Sequence, residues 1–221
     1  ARLPNYQVRL GFGLHYGWAI EGAIGSEFKI DASYLSPHVN MASRLEAIAP
    51  QYQVPILMSN PLAQLCSHDM ARYFRTIDHV TLKGGMSTAM RLHTVDIVAE
   101  NLSSDAVAPK RSEIKRLREK TKEEKFRRTF KVHELFETNS DLRQMRKDFP
   151  KSFFQLFSKG YLNYEAGEWD VARDIFERTR EMLPEPDGPS RALLDFMGRH
   201  GYDPTRVGAK GWHGYRELAE T

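Results

Sequence analysis

From Val8 to Ile20 every even-numbered residue is apolar or aromatic: Val8, Leu10, Phe12, Leu14, Tyr16, Trp18 and Ile20. A repeat of two is the mark of an extended strand with one buried face. The odd positions include Gly11, Gly13 and Gly17. Glycines along one face of a strand let another element come against the backbone, or mark a bend. The segment is read as two strands broken near Gly17, around which a sheet must form. Because the alternation starts almost at Ala1, that sheet is expected to be incomplete at its N-terminal side.

The elements that follow set the fold class. Ser36 can cap a helix and Pro37 suits its first position. The helix runs through Val39, Ala42, Leu45 and Ile48 and stops before Pro50. Residues 54–58 read as a short buried strand and residues 61–71 as a helix. Residues 74–82 and 88–97 read as strands joined across Lys83-Gly84-Gly85. The order β-β-α-β-α-β-β is an α+β pattern with helices against one sheet.

Beyond the sheet the character changes. Residues 101–112 read as a linker and residues 113–128 as a charged helix. From Phe149 onward the chain reads as helical and aromatic. Phe153, Phe154, Leu156, Phe157, Tyr161 and Tyr164 read as one helix face ended by Gly167; Trp169, Ala172, Ile175, Phe176 and Leu183 read as a second helix stopped by Pro184. The Trp-x-x-Ala-x-x-x-Phe spacing resembles one tetratricopeptide unit. A single unit cannot bury its own face, so it must pack on the sheet or on another protein. Residues 190–200 read as a further helix and residues 212–218 as a last one. The expected division is residues 1–100, a linker helix over 101–131 and a helical extension over 132–221.

Composition narrows the functional classes. With 41% hydrophobic and 28% charged residues, the 221-residue chain fits a globular protein with polar linkers. No stretch approaches the roughly 20 apolar residues needed to span a bilayer. Cys66 is the only cysteine, which leaves no internal disulfide, suits a reducing compartment, and reads as a small buried hydrophobe. The net charge of +3 is uneven: residues 101–131 carry eleven basic and five acidic side chains. Glutamates interleave those cations without an aromatic stacking pattern, so a solvated helix is expected and no nucleic acid. Gly11-x-Gly13-x3-Gly17 is one residue too long for a dinucleotide fingerprint and precedes a strand. The histidines show no metal-ligand spacing.

Several segments together resemble class III adenylate and guanylate cyclases. These are Gly13-Leu-His-Tyr-Gly17, Gly22-x-x-Gly25-Ser26, Val39-Asn40-Met-Ala42-Ser43-Arg44-Leu45-Glu46, Tyr52-x-Val54-Pro55-Ile56-Leu57, and the stretch from Phe74 to Gly84. The resemblance covers about residues 6–98. The wording from Lys29 to Arg44 looks like protist and algal members, some of which carry a helical extension. The resemblance implies a ferredoxin-like cyclase homology domain, incomplete at its N-terminus, followed by an all-helical extension. It implies conversion of ATP, or of GTP, to a cyclic nucleotide and pyrophosphate at a dimer interface, with a second cyclase domain as partner. A protein partner for the helical extension is a further expectation. Location is expected to be cytoplasmic, either free or as the cytosolic part of a membrane-anchored or ciliary protein.

The same resemblance assigns roles. Asn40 would orient the ribose and Arg44 would neutralise the α-phosphate, for which a planar donor fork is suited. Lys83 would contact the triphosphate. Ser33 falls where the base is read, and a hydroxyl does not by itself choose adenine or guanine. Asp31 lies two residues away on the same strand face. Gly11 stands where many members place a phosphate-binding arginine, and Arg9 is expected to substitute. Ser36-Pro37 replaces a glycine-containing turn. The two metal aspartates, which would hold Mg²⁺ or Mn²⁺, and the purine-reading lysine are expected upstream of residue 1. The alternative is a catalytically degenerate cyclase fold acting as a regulatory or structural subunit.

Overall fold

The computed structural model describes residues 10–82, 88–102 and 111–218. The chain divides into two compact units, Ala1–Asp96 with Phe149–Thr221, and Ile97–Asp148.

The first unit is a mixed α+β layer. Its strands are β1 (Phe12–Leu14), β2 (Ile20–Ser26), β3 (Lys29–Leu35), β4 (Ile56–Ser59), β5 (Phe74–Leu82), β6 (Met90–Val95) and β7 (Arg216–Leu218). Five form one sheet in the order β1-β4-β6-β5-β7, and β2 and β3 form a separate antiparallel hairpin. The alternating segment thus yields only a three-residue strand before an irregular turn. The hairpin that follows adds a strand before the first helix, which the expected order lacked.

Helix α1 (Pro37–Ile48) forms as its sequence predicts. The Ser36 hydroxyl accepts from the backbone amides of His38 and Val39, and Met41, Leu45 and Ile48 are buried along one stripe. The expected helix over 61–71 breaks in two, α2 (Asn60–Leu65) and α3 (His68–Ala71). Cys66 adopts an extended conformation, and the Ser67 hydroxyl caps the second piece by accepting from the Met70 amide. Cys66 itself is half-buried rather than buried as expected.

The glycine face of β1 has a concrete purpose. A Cβ at Gly13 would sit 2.2 Å from the Ala42 carbonyl oxygen and 2.4 Å from the Glu46 nitrogen. Strand β1 therefore crosses α1 at backbone contact. Gly13→Ala is expected to cost about 1–3 kcal/mol, because backbone must move to admit the methyl. Gly22, where an added Cβ meets nothing within 4 Å, is the matched control: Gly22→Ala should stay within about 0.5 kcal/mol. Urea unfolding of both variants decides this; equal costs would contradict the packing described.

Three helices complete this unit: α7 (Lys151–Ala166), α8 (Trp169–Arg180) and α9 (Gly188–Arg199), taking α4–α6 as the helices of the second unit. Gly167 ends α7 in the left-handed conformation at φ 86°. Gly160 brings α8 close, since a Cβ there would meet Ile175 at 2.7 Å. These helices share one hydrophobic core with α1 and the sheet, running from Leu45 and Ile77 through Phe157 and Phe176 to Leu193.

Two buried charge groups sit within this core. Arg75 on β5 donates to both Asp96 and Asp187, and its guanidinium lies 4.4 Å over the Phe157 ring. Asp187 also caps α9 by accepting from the Ser190 amide at 2.9 Å. Arg216 donates to Asp78 at 2.7 Å and to the Tyr52 hydroxyl at 3.2 Å. Burial, reinforced by Asp78, holds the Tyr52 phenol well above its ordinary pKa. Arg216 opens β7, so residues 212–218 are not the helix expected from sequence. Gly208, Gly211 and Gly214 at positive φ precede the strand, which pairs in parallel with β5.

The second unit contains α4 (Arg111–Lys125), α5 (Leu135–Thr138) and α6 (Ser140–Met145). Helix α4 buries no residue and carries the spaced ion pairs Lys115–Glu119 and Lys120–Glu124. A hydrogen bond of 2.9 Å from the Val98 amide to the Met145 carbonyl and one of 2.6 Å from Asn101 to Asp148 close the unit. Among the described residues no helix is long and apolar enough to cross a membrane.

Candidate functional site

Asn40 and Arg44 lie one turn apart on α1, beside its buried stripe. Asn40 is exposed and Arg44 half-buried. The cap at Ser36 fixes where this helix starts. Its hydroxyl also donates to the Trp18 carbonyl at 2.6 Å, which ties the helix start to the turn before the hairpin.

Ser33 lies on β3 directly opposite Gly22, on the face that also carries Ile20, Ile24, Asp31 and Leu35. Nothing lies within 4 Å of where a Gly22 side chain would begin, and Ser33 opposite it is half-buried. Asp31 is paired instead with Lys29 at 2.9 Å. Strand β3 runs into the Ser36 cap, so Ser33, Asn40 and Arg44 belong to one continuous strand-to-helix segment. Arg9 and Lys83 lie outside the described residues.

The hairpin that presents Ser33 is apolar and open. Phe28 is 96% exposed, Ile30 71% and Ile20 62%. These large apolar side chains stand exposed together on a two-stranded arm.

Sequence spacing missed a third group. His15, from the turn after β1, sits between Ser59 at the end of β4 and His38 in the first turn of α1. Its Nδ1 is 2.7 Å from the Ser59 hydroxyl and its Nε2 is 2.9 Å from His38 Nδ1. The rings stack with centroids 5.1 Å apart. Burial, and then the neighbouring His38, push the His15 pKa below its ordinary value. Reading histidines for metal-ligand spacing could not reveal this, because the two rings bond each other.

Among the described residues no group of three or more His, Cys, Asp or Glu could hold a metal ion. The residues in view therefore do not fit a two-metal centre.

No family model matches the chain. Over about two-fifths of its length it is similar to adenylate cyclases at modest identity. Adenylate cyclase 1 of Rhizobium meliloti (strain 1021) is 33% identical over 93 residues, 42% of this chain and 13% of that protein. An adenylate cyclase of Anabaena cylindrica is 28% identical over 89 residues, 40% of this chain and 18% of that one. The terminal-differentiation-specific adenylate cyclase of Dictyostelium discoideum is 32% identical over 89 residues, 40% of this chain and 4% of that protein. The chain thus spans less than a fifth of the length of these relatives. A solved bacterial light-regulated adenylyl cyclase is 31% identical, covers 39% of this chain and 23% of its own, and superimposes with a TM-score of 0.32.

Proposed function

We propose that this chain contributes the nucleotide-orienting part of an adenylate cyclase site, which forms cyclic AMP and pyrophosphate from ATP at an interface with a second cyclase domain. The observation that carries the reading is the strand-to-helix segment in which Ser33, Asn40 and Arg44 follow one another around the Ser36 cap. The similarity to adenylate cyclases supports it. In this reaction the ribose 3′-oxygen bonds to the α-phosphorus while the bond to the bridging oxygen breaks. Asn40 would hold the ribose so that the 3′-oxygen faces phosphorus. Arg44 would meet two phosphate oxygens as charge builds on them. Ser33 would face the base across the space left by Gly22. Arg9 and Lys83 are proposed as further phosphate contacts. The carboxylates for Mg²⁺ or Mn²⁺ would come from outside the described residues.

The exposed hairpin fits the same reading, because a second cyclase domain seated on Ile20, Ile24 and Leu35, the face that carries Ser33, would cover that apolar surface. The test is production of cyclic AMP from ATP, with GTP in parallel, by the full-length protein in Mg²⁺ and in Mn²⁺. Cyclic AMP formation is the expected result. No cyclic nucleotide under either metal would reject the reading and leave a regulatory cyclase fold.

A further inference from the structure

The Ser59–His15–His38 chain has the outline of a nucleophile, a base and an orienting group. Ser59 is fully buried, so no substrate reaches its oxygen. A metal is also disfavoured, since the facing nitrogens point at each other across 2.9 Å. What the chain does instead is join three elements: β4 through Ser59, the turn after β1 through His15, and α1 through His38.

The turn from Tyr16 to Ala19 leads directly into β2 and is held at two points, by the Ser36 hydroxyl on the Trp18 carbonyl and by the His38 ring. A Cβ at Gly17 would lie 2.1 Å from the His38 ring, so that ring rests on the turn's backbone. The Trp18 ring stands edge-on to His38 at 5.8 Å. We infer that the His15–His38 pair is a positioning element that holds the β2–β3 hairpin against the start of α1, and that double protonation of the pair releases it.

The proton arithmetic follows from the bond. With both rings neutral, a single proton lies between His15 Nε2 and His38 Nδ1, and His15 Nδ1 shares a hydrogen bond with the Ser59 hydroxyl, which serves as donor or acceptor according to the tautomer. A first added proton can be shared between facing nitrogens. A second places two N–H donors against each other with no acceptor between them. The Trp18 ring and the Gly17 backbone also lie against His38, and the Ser36 hydroxyl accepts from its backbone amide. Along α1, the Glu46 carboxylate lies against Gly11 at β1, and Arg44 is six residues beyond His38. His15 is easier to keep neutral in the docked state than in a free turn, so docking is complete above the ordinary histidine value of about 6.5 and is lost as pH falls below it.

The experiment is a two-dimensional amide NMR titration of this chain from pH 7.5 to 4.5, in wild type and in His38→Asn. Asparagine keeps an acceptor near the Nδ1 position and cannot take a proton. In wild type the amides of Trp18, Ile20, Gly22 and Ser33 should move together with those of His38 and Val39, at one midpoint below about 6.5. That step should be lost in His38→Asn. His93, buried between Thr76 and Asn60 with its pKa pushed down to about 4, is present in both proteins and cancels in the comparison. Should His38→Asn not fold, His15→Asn, which keeps the Ser59 bond, serves the same purpose. Hairpin amides that stay still while both imidazoles protonate would overturn the inference. So would the same movement in the asparagine variant. ATP turnover plays no part in this readout, so failure of the cyclase reading would leave it intact.

Discussion

Arg75→Leu is expected to lower the free energy of unfolding by about 3–5 kcal/mol, the usual cost of removing one partner from a buried ion group. The Arg75 side chain is 3% exposed, as are those of Asp96 and Asp187. Leucine would fill part of the space and keep the contact with Phe157. It would not satisfy two carboxylates that cannot reach water. Asp187 would keep its cap on α9, because the Ser190 amide and hydroxyl still donate to it. The unpaired charge would nevertheless stand where α9 meets β5, so the loss should fall on the docking of the helices. Asp187→Asn separates charge from geometry. Its oxygen still caps α9 and accepts from Arg75 Nη1, and Arg75 keeps Asp96, so its cost should be smaller even though the new amide NH2 faces Arg75 Nη2. Urea unfolding measures both, with a lower midpoint and an unchanged slope as the sign of a stability effect alone. A loss below about 1 kcal/mol for Arg75→Leu would show that the network is open to solvent.

That network also shows why part of this fold could not be read from sequence. The α1 segment was legible because its signals are local: Ser36 before Pro37, then Val39, Ala42, Leu45 and Ile48 at helical spacing, although the buried stripe runs through Met41 in place of Val39 and Ala42. The glycines on one face of the alternating run signalled a close approach or a bend, but not that α1 is the element that approaches. Arg75 and Asp187 are 112 residues apart, and nothing near either one names the other. Strand β7 failed for the same reason. Its pairing with β5 is set by an edge far away in the chain, while residues 212–218 taken alone carry enough apolar periodicity to suggest a helix. The break at Cys66 was missed because the apolar spacing continues across it, and only the cap at Ser67 gives it away. At the candidate site, the pairing of Asn40 with Arg44 on one face follows from spacing. The roles of Ser33, Lys83 and Arg9 rest on family resemblance alone.

Arg44→Ala is expected to reduce cyclic AMP formation by the full-length protein about a hundredfold or more, equivalent to about 2.7 kcal/mol of lost transition-state stabilisation. Charge on the α-phosphate oxygens grows as the new bond forms, so a donor placed there stabilises the transition state more than bound ATP. kcat and kcat/KM should therefore fall together while KM changes little. Folding should be unaffected within about 0.5 kcal/mol, because Arg44 flanks the buried stripe of α1 and is not part of it. Arg44→Lys should recover only part of the rate, since an ammonium restores the charge but not the two-point contact. Asn40 supplies the sharper test. If both side chains grip one nucleotide from the same helix face, Asn40→Ala and Arg44→Ala together should cost less than the sum of the single losses, because either alone already misplaces the α-phosphate. An Arg44→Ala enzyme within a few fold of wild type, with folding intact, would remove this arginine from the site and with it the geometric basis of the cyclase assignment.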